Sequence, residues 1–298
     1  MANGSLTTRQ QKKGLMYRGY TSSPTDTQYD PPTKFTIGIN GTTPSENNTD
    51  LVEAIPISDG TVNDNGSTNL TGSSGGDNST DNTTTYKEGA GESDNTAQNL
   101  IANDTNATKI WTIAALSTNI TATQPVGLWI YIKDATALAK FVSLEIKLGS
   151  DSSNYYSLSK TAAQLSTGWN WVNSGSTNVE DLTETGTVSG DIDTFIIEIV
   201  TNNATDEFVA GDVVYDLLRQ WEDSDLLKLF NTGYPSLNLT NLEVSMKCTL
   251  LSNEGNGFLV DSIGTKNVDG YLMDIHVQDD ESKSSTDEFI YTIKNRMI

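Results

Sequence analysis

Val126-Gly-Leu-Trp-Ile-Tyr-Ile-Lys133, followed by Phe141-Val-Ser-Leu-Glu-Ile-Lys-Leu-Gly149 and Gly168-Trp-Asn-Trp-Val172, is the stretch whose alternation decides the fold. Leu128, Ile130 and Ile132 alternate with Trp129, Tyr131 and Lys133, the period of two expected of a strand with one buried face. In the second segment Val142, Leu144, Ile146 and Leu148 alternate with Phe141, Ser143, Glu145 and Lys147. Two strands with separated faces need a second sheet to cover the apolar one, so a β-sandwich is expected for the middle of the chain. Ile192 to Val200 and Phe208 to Leu218 read as its closing strands, with Val209, Val213, Tyr215 and Leu217 on one face and Trp221 over the end.

Composition narrows the function. The chain has 298 residues, with 18 Lys and Arg against 39 Asp and Glu, for a formal charge of −21. Such a molecule repels phosphate backbones and anionic bilayers, so neither a nucleic acid nor a membrane is expected as a partner. No stretch approaches the ~20 apolar residues of a membrane span, and the opening Met1 to Lys13 lacks the apolar run of a secretory signal, which points to synthesis in a cytoplasm. Thr, Asn, Ser, Asp and Gly crowd the sequence while aromatic residues are retained, a balance that fits an all-β protein with long decorated loops.

Catalytic chemistry finds little purchase. His276 is the single histidine, in Met273-Asp-Ile-His-Val-Gln278, and reads as a structural side chain on a strand face. No Gly-x-Ser-x-Gly elbow occurs, and zinc ligands are nearly lacking. Two carboxylates suffice for glycoside hydrolysis, but among so many no pair stands out, and a non-enzymatic protein is expected. Cys248 is the only cysteine, which excludes an intrachain disulfide. It falls in the apolar alternation Leu242, Val244, Met246, Cys248, Leu250 and is expected to be a buried thiol.

Two resemblances give this reading a context. Leu128-Trp-Ile-Tyr-Ile-Lys-Asp134, the turn Gly149-Ser-Asp-Ser-Ser-Asn-Tyr-Tyr156 and Thr167-Gly-Trp-Asn-Trp171 resemble the jelly-roll sandwiches, related to carbohydrate-binding modules, embedded in tailed-phage structural proteins. This likeness covers residues 84–221. Phe35-Thr-Ile-Gly-Ile-Asn-Gly-Thr-Thr-Pro-Ser45 onward to Ile57 is similar to the opening of phage tail, baseplate and fibre-attachment domains. Leu242 to Leu250, Glu254-Gly-Asn-Gly257, Asn267-Val-Asp-Gly270 and Glu288 to Arg296 resemble the closing half of the same domain, although Asp261-Ser-Ile-Gly264 replaces that family's usual Glu-Leu-Gly-Leu step.

Together these predict an N-terminal arm (1–20), the first half of a β-domain (21–57), a polar Gly/Ser/Asn/Thr linker (58–83), a jelly roll (84–221) and the second half of the β-domain (222–298). The jelly roll is thus an insertion in a smaller β-domain formed by the two ends of the chain. The arm holds Lys12, Lys13 and Arg18 on an otherwise acidic molecule; it reads either as a frayed terminus or as a segment that docks on a neighbouring subunit. Asp225 to Gly233 reads as a short helical turn or an apolar docking surface.

The resemblance implies a virion structural protein of a tailed phage or related virus, in the tail, baseplate or fibre attachment, made in the host cytoplasm and assembling as a homo-oligomer with other virion proteins. A carbohydrate-binding adhesin that recognises a cell-surface glycan is the alternative, and a capsid decoration or head fibre is a variant of the first. Trp129, Tyr155, Tyr156, Trp169 and Trp171 are the candidates for stacking on sugar rings, against the alternative that they pack in the core. By resemblance also, Glu88 near the first strand and Asp216, with Asp212, near the last are candidates for a structural Ca2+, the oxygen-loving ion such carboxylates suit. They read equally as solvated loop carboxylates, and no cofactor is required.

Overall fold

The computed structural model describes residues 4–7, 30–45, 47–58, 60–72, 77–87, 95–240, 243–252, 254–283 and 287–296. The chain is all-β and divides into two compact units: Gly60–Glu222, and a terminal unit made of Met1–Asp59 with Asp223–Ile298. Lys12, Lys13, Arg18 and Glu88 lie outside the described residues.

The terminal unit contributes β1 (Gly4–Thr7), β2 (Lys34–Ile39) and β3 (Glu53–Ala54) before the chain enters the other unit. There it forms β4 (Thr61–Asp64), β5 (Thr71–Gly72), β6 (Asn78–Asn82), β7 (Ala97–Ile101), β8 (Thr108–Ile113), β9 (Val126–Ile132), β10 (Phe141–Gly149), β11 (Tyr155–Thr161), β12 (Gly168–Asn173), β13 (Thr183–Thr185), β14 (Thr194–Thr201) and β15 (Val213–Gln220). These run antiparallel in the order β12-β9-β15-β7-β6-β5-β8-β14-β10-β11-β13, with β4 added on β15. The path curls over one core, in which Leu128, Ile130 and Ile132 of β9 meet Leu144, Ile146 and Leu148 of β10 and Phe195, Ile197 and Ile199 of β14.

Trp111 on β8 is fully buried, and its indole N–H reaches the carbonyls of Asn78 and Ile101 at 3.1 and 3.2 Å. One side chain thereby ties β8 to β6 and β7.

Three expectations are corrected in this unit. The segment 58–83 is not a linker, because β4, β5 and β6 are strands of the sandwich and the unit starts near residue 60 rather than 84. Leu70 anchors it in the core, and its polar side chains hold the rest by hydrogen bonds. Asp64 accepts from the buried Tyr215 hydroxyl at 2.8 Å, and Asn82 donates to Asn99 at 2.8 Å.

The other two corrections come from β-bulges, each of which inserts one residue and resets the alternation beyond it. A register shift between Phe141 and Ser143 turns Phe141 into the core and leaves Val142 46% exposed, the reverse of the predicted faces. On β15 a shift between Asp216 and Arg219, with Leu217 at a φ of 52°, sends Leu218 rather than Leu217 into the core cluster. Val209 lies outside the strand and is exposed.

The terminal unit resumes with β16 (Lys228–Leu229), β17 (Ser236–Asn238), β18 (Glu243–Leu250), β19 (Leu259–Lys266), β20 (Leu272–Ser282) and β21 (Phe289–Arg296). One sheet has the order β1-β20-β19-β2-β16 with β3 on β2, and a second has the order β17-β18-β21. β2 is central in its sheet, and Phe35, Thr36, Ile37 and Gly38 are all buried there. Asn40, at a φ of 57°, makes the turn that Asn40-Gly41 predicts. Gly41 N–H then donates to both carboxylate oxygens of Asp261 on β19 at 3.0 and 2.8 Å. Cys248 is fully buried, and burial pushes its thiol up to about 12. Asp223–Leu226 is a single 3-10 turn.

Candidate functional site

The outer face of β12, β9 and β15 gathers the aromatic residues. In β9 and β12 the residues between the core positions point outward, and the ladder sets Trp171 opposite Trp129 and Trp169 opposite Tyr131. Ring centroids lie 5.0 Å apart for Trp129 and Trp171, 5.3 Å for Tyr131 and Trp169, and 5.8 Å for Trp171 and Trp221. The planes are tilted by 47°, 57° and 35°, and Trp129 and Trp169 meet edge to face. Gly127 lets Trp171 lie down on the strand, because a β-carbon there would stand 2.4 Å from the indole.

Charge is laid on this face as well. Lys87 Nζ sits 4.2 Å from the Trp129 ring centroid, and the Arg219 guanidinium 5.1 Å from that of Trp171. Arg219 reaches the aromatic face because of the β15 bulge, whose extra residue brings it opposite Gly127. Asp216, opposite Trp129, is almost wholly buried and accepts from the Lys87 backbone N–H at 2.7 Å. Burial first, and then the neighbouring Arg219, lower the Lys87 ammonium to about 8, against a partial restoring pull from Asp216.

The five aromatic residues predicted for sugar stacking therefore fall into separate places. Trp129, Trp169 and Trp171 share the outer face just described; Trp129 is buried, and Trp169 and Trp171 are half-buried. Tyr155 and Tyr156 belong to β11, near the opposite end of the sheet order. Being consecutive on a strand they point to opposite sides. Tyr156 packs against the core cluster, whereas Tyr155 lies under Lys147 Nζ at 4.8 Å. A flat sugar platform needs coplanar open rings, and these tilted, interlocked rings are arranged as packing.

Of the predicted cation ligands Glu88 lies outside the described residues, and Asp212 and Asp216 do not converge. Asp212 stands in the turn just before β15 and Asp216 on the strand four residues later, roughly 13 Å of extended chain, whereas oxygens around Ca2+ stand about 2.3–2.6 Å from the ion. Asp212 is already engaged by Lys133 Nζ at 3.2 Å and Lys140 Nζ at 3.7 Å, and accepts from the Val209 N–H at 3.2 Å. Two ammonium groups at one carboxylate oppose a further cation, so this pair does not fit one ion.

A second arrangement lies in the terminal unit. A cleft of about 530 Å³ runs beside β21, lined by every residue from 288 to 294 together with Ile263, His276, Gln278 and Glu281. Successive side chains of a strand point to opposite faces, so a cleft that meets seven in a row meets the strand's edge. His276 stands on β20 opposite Ile263 and is half-buried on the floor of this cleft. Burial and the Glu281 carboxylate raise the Tyr291 phenol well above its ordinary range.

Sequence reasoning marked the tryptophans but missed Lys87, Tyr131 and Arg219 on the same face, and it missed the β21 edge. Tyr131 was open to prediction, since it shares the parity of Trp129. Arg219 was not, because its placement depends on the bulge.

No family model matches the chain, and no curated protein matches it. Among solved structures it is similar to the glycoside hydrolase domain of Endo-D from Streptococcus pneumoniae R6, at 9% identity over 76% of this chain and 36% of that one, with a TM-score of 0.31. The chain spans little more than a third of that structure's length, and a likeness of this degree carries no argument about activity.

Proposed function

We propose that the chain is a non-enzymatic structural subunit of a tailed-phage or related virion, which assembles through its terminal unit and displays the sandwich. The observation that carries this reading is where large apolar side chains face solvent. Of the eleven that do so among the described residues, nine belong to the terminal unit: Val52, Leu229, Leu237, Leu239, Leu251, Leu259, Val268, Tyr271 and Ile290. Leu237 and Leu239 are 70% and 79% exposed. The concentration of exposed apolar side chains in one unit supports a surface there that a partner covers, and among the described residues β17 and β21 are the end strands of their sheet, the positions where a further strand can add. The resemblance of residues 35–57 and 242–296 to tail and baseplate domains supports the same unit as the assembling one.

Subunit-specific labelling of intact particles under the electron microscope tests this. Label on the particle surface at regular positions is the expected result. A chain that never sediments with particles and is found only free overturns the reading.

A further inference from the structure

We propose that the free edge of β21 pairs with β21 of a second copy of this chain, antiparallel and about a two-fold axis at Tyr291, to make one continuous six-stranded sheet. This rests on the assembly reading above and names the surface it uses. β21 ends its sheet, whose order is β17-β18-β21, and residues 288 to 294 line the cleft beside it; the backbone groups of an end strand that face away from its neighbour are the ones a further strand can bond. Among the described residues β18 is the only strand paired with it.

The sequence of β21 is complementary to itself when reversed. Its residues alternate, with Tyr291 and Ile293 buried beside Cys248 and Met246, and Ile290, Thr292 and Lys294 exposed. Pairing must keep like faces together, because a slip of one residue exchanges them. Of the registers that do so, the one centred on Tyr291 sets Phe289 opposite Ile293 and Ile290 opposite Thr292. It also sets Glu288 of each copy opposite Lys294 of the other.

A register centred on Thr292 would match Glu288 with Arg296 but place Phe289 against Asn295 and Ile290 against Lys294; one centred on Ile290 would leave both charges unmatched. The Tyr291 register alone satisfies apolar and charged positions at once, and its two-fold symmetry makes each charge pair occur twice. Within one copy Lys294 Nζ lies 3.5 Å from Glu243 yet remains 61% exposed, which leaves it open to the partner. The acidic molecule, at −21, repels a second copy in general, so a local match of opposite charges selects where the contact forms.

The test is a charge-reversal cycle on the full-length protein, read by sedimentation velocity, with circular dichroism to confirm folding. Glu288→Lys and Lys294→Glu are each expected to raise the dimer dissociation constant about tenfold or more, and the double variant to restore most of the loss. As a readout independent of Glu243, Ile290→Cys mixed with Thr292→Cys is expected to give a disulfide-linked heterodimer on oxidation, with Cys248 buried and silent. An oligomer that ignores both reversals and gives no such crosslink overturns the β21 register while the assembly reading stands. A monomer at every concentration that still labels particles overturns self-pairing alone. A chain absent from particles overturns the assembly reading, and the charge-reversal cycle then still decides the pairing.

Discussion

The sandwich and the terminal unit use the same antiparallel strands, yet they treat apolar side chains in opposite ways. In the sandwich the alternating faces close over one another, and even the outward aromatic residues are covered by neighbouring rings, by Lys87 and by Arg219. Val142 and Val209 are its only large apolar side chains counted as exposed among the described residues. In the terminal unit strand ends and edges leave leucine and isoleucine in water. A unit that hides its apolar side chains leaves few for a partner to cover, and one that exposes them offers the kind of surface the proposed assembly would use. Substitutions in the two units should therefore be felt in different measurements.

The largest effect is expected from Trp111→Ala in the sandwich. The indole is fully buried and its N–H serves two carbonyls, so its loss should cost about 3–5 kcal/mol. Chemical denaturation should show the sandwich transition moving to much lower denaturant. A shift within about 0.5 kcal/mol would mean that the core is not sealed around this residue. Next comes Gly127→Ala, where the new methyl meets the Trp171 ring at 2.4 Å; overpacking of this kind costs about 1–3 kcal/mol. A change in tryptophan fluorescence should accompany it, because Trp171 must move off the strand. Unchanged stability and emission would show that the aromatic face is loosely held.

A smaller, pH-dependent effect is expected from Lys87. Its ammonium titrates near 8 when folded, against an ordinary value of 10.5. Below pH 8 both states carry the charge and the burial penalty is fully felt. Between about 8 and 10.5 the unfolded chain binds a proton that the folded one has released, so stability rises with pH across that window and is level above it. Urea midpoints for the sandwich at pH 7.5, 8.5 and 9.5 (values chosen to span roughly that window) should climb, and Lys87→Met should flatten the climb. A wild-type midpoint that falls over this window would refute the burial of the ammonium against Trp129.

The alternation of Leu128, Ile130 and Ile132, and of Phe195, Ile197 and Ile199, was legible because burial on one face writes a period of two into the residues. The bulges at Phe141 and Leu217 were not, because one inserted residue is a choice of backbone that leaves no mark in polarity. The strands from Thr61 to Asn82 were hidden for another reason. They are held by side-chain amides and carboxylates such as Asn82 and Asp64, and polar composition alone reads as a linker. In the site, the four-residue spacing of Asp212 and Asp216 in extended chain already argued against a shared ion, whereas the company of Arg219 depended on a bulge that only the fold reveals. The β21 edge was invisible in sequence, since an edge is defined by which neighbour is missing.

The smallest effect on stability, and the one that sharpens the contrast most, is expected from Leu237→Ser with Leu239→Ser in the terminal unit. Both side chains stand mostly in water, so the folded state loses little when they shrink, within about 0.5 kcal/mol. If these leucines face solvent because an assembled partner covers them, the same change should weaken association while the denaturation curve stays where it was. Light scattering under conditions that drive assembly separates the two readouts in one sample. Lost association with intact folding places the role of this surface outside the monomer. Unchanged association would mean that the exposed leucines are incidental, and the contrast between a closed unit and an open one would have to rest on the strand edges alone.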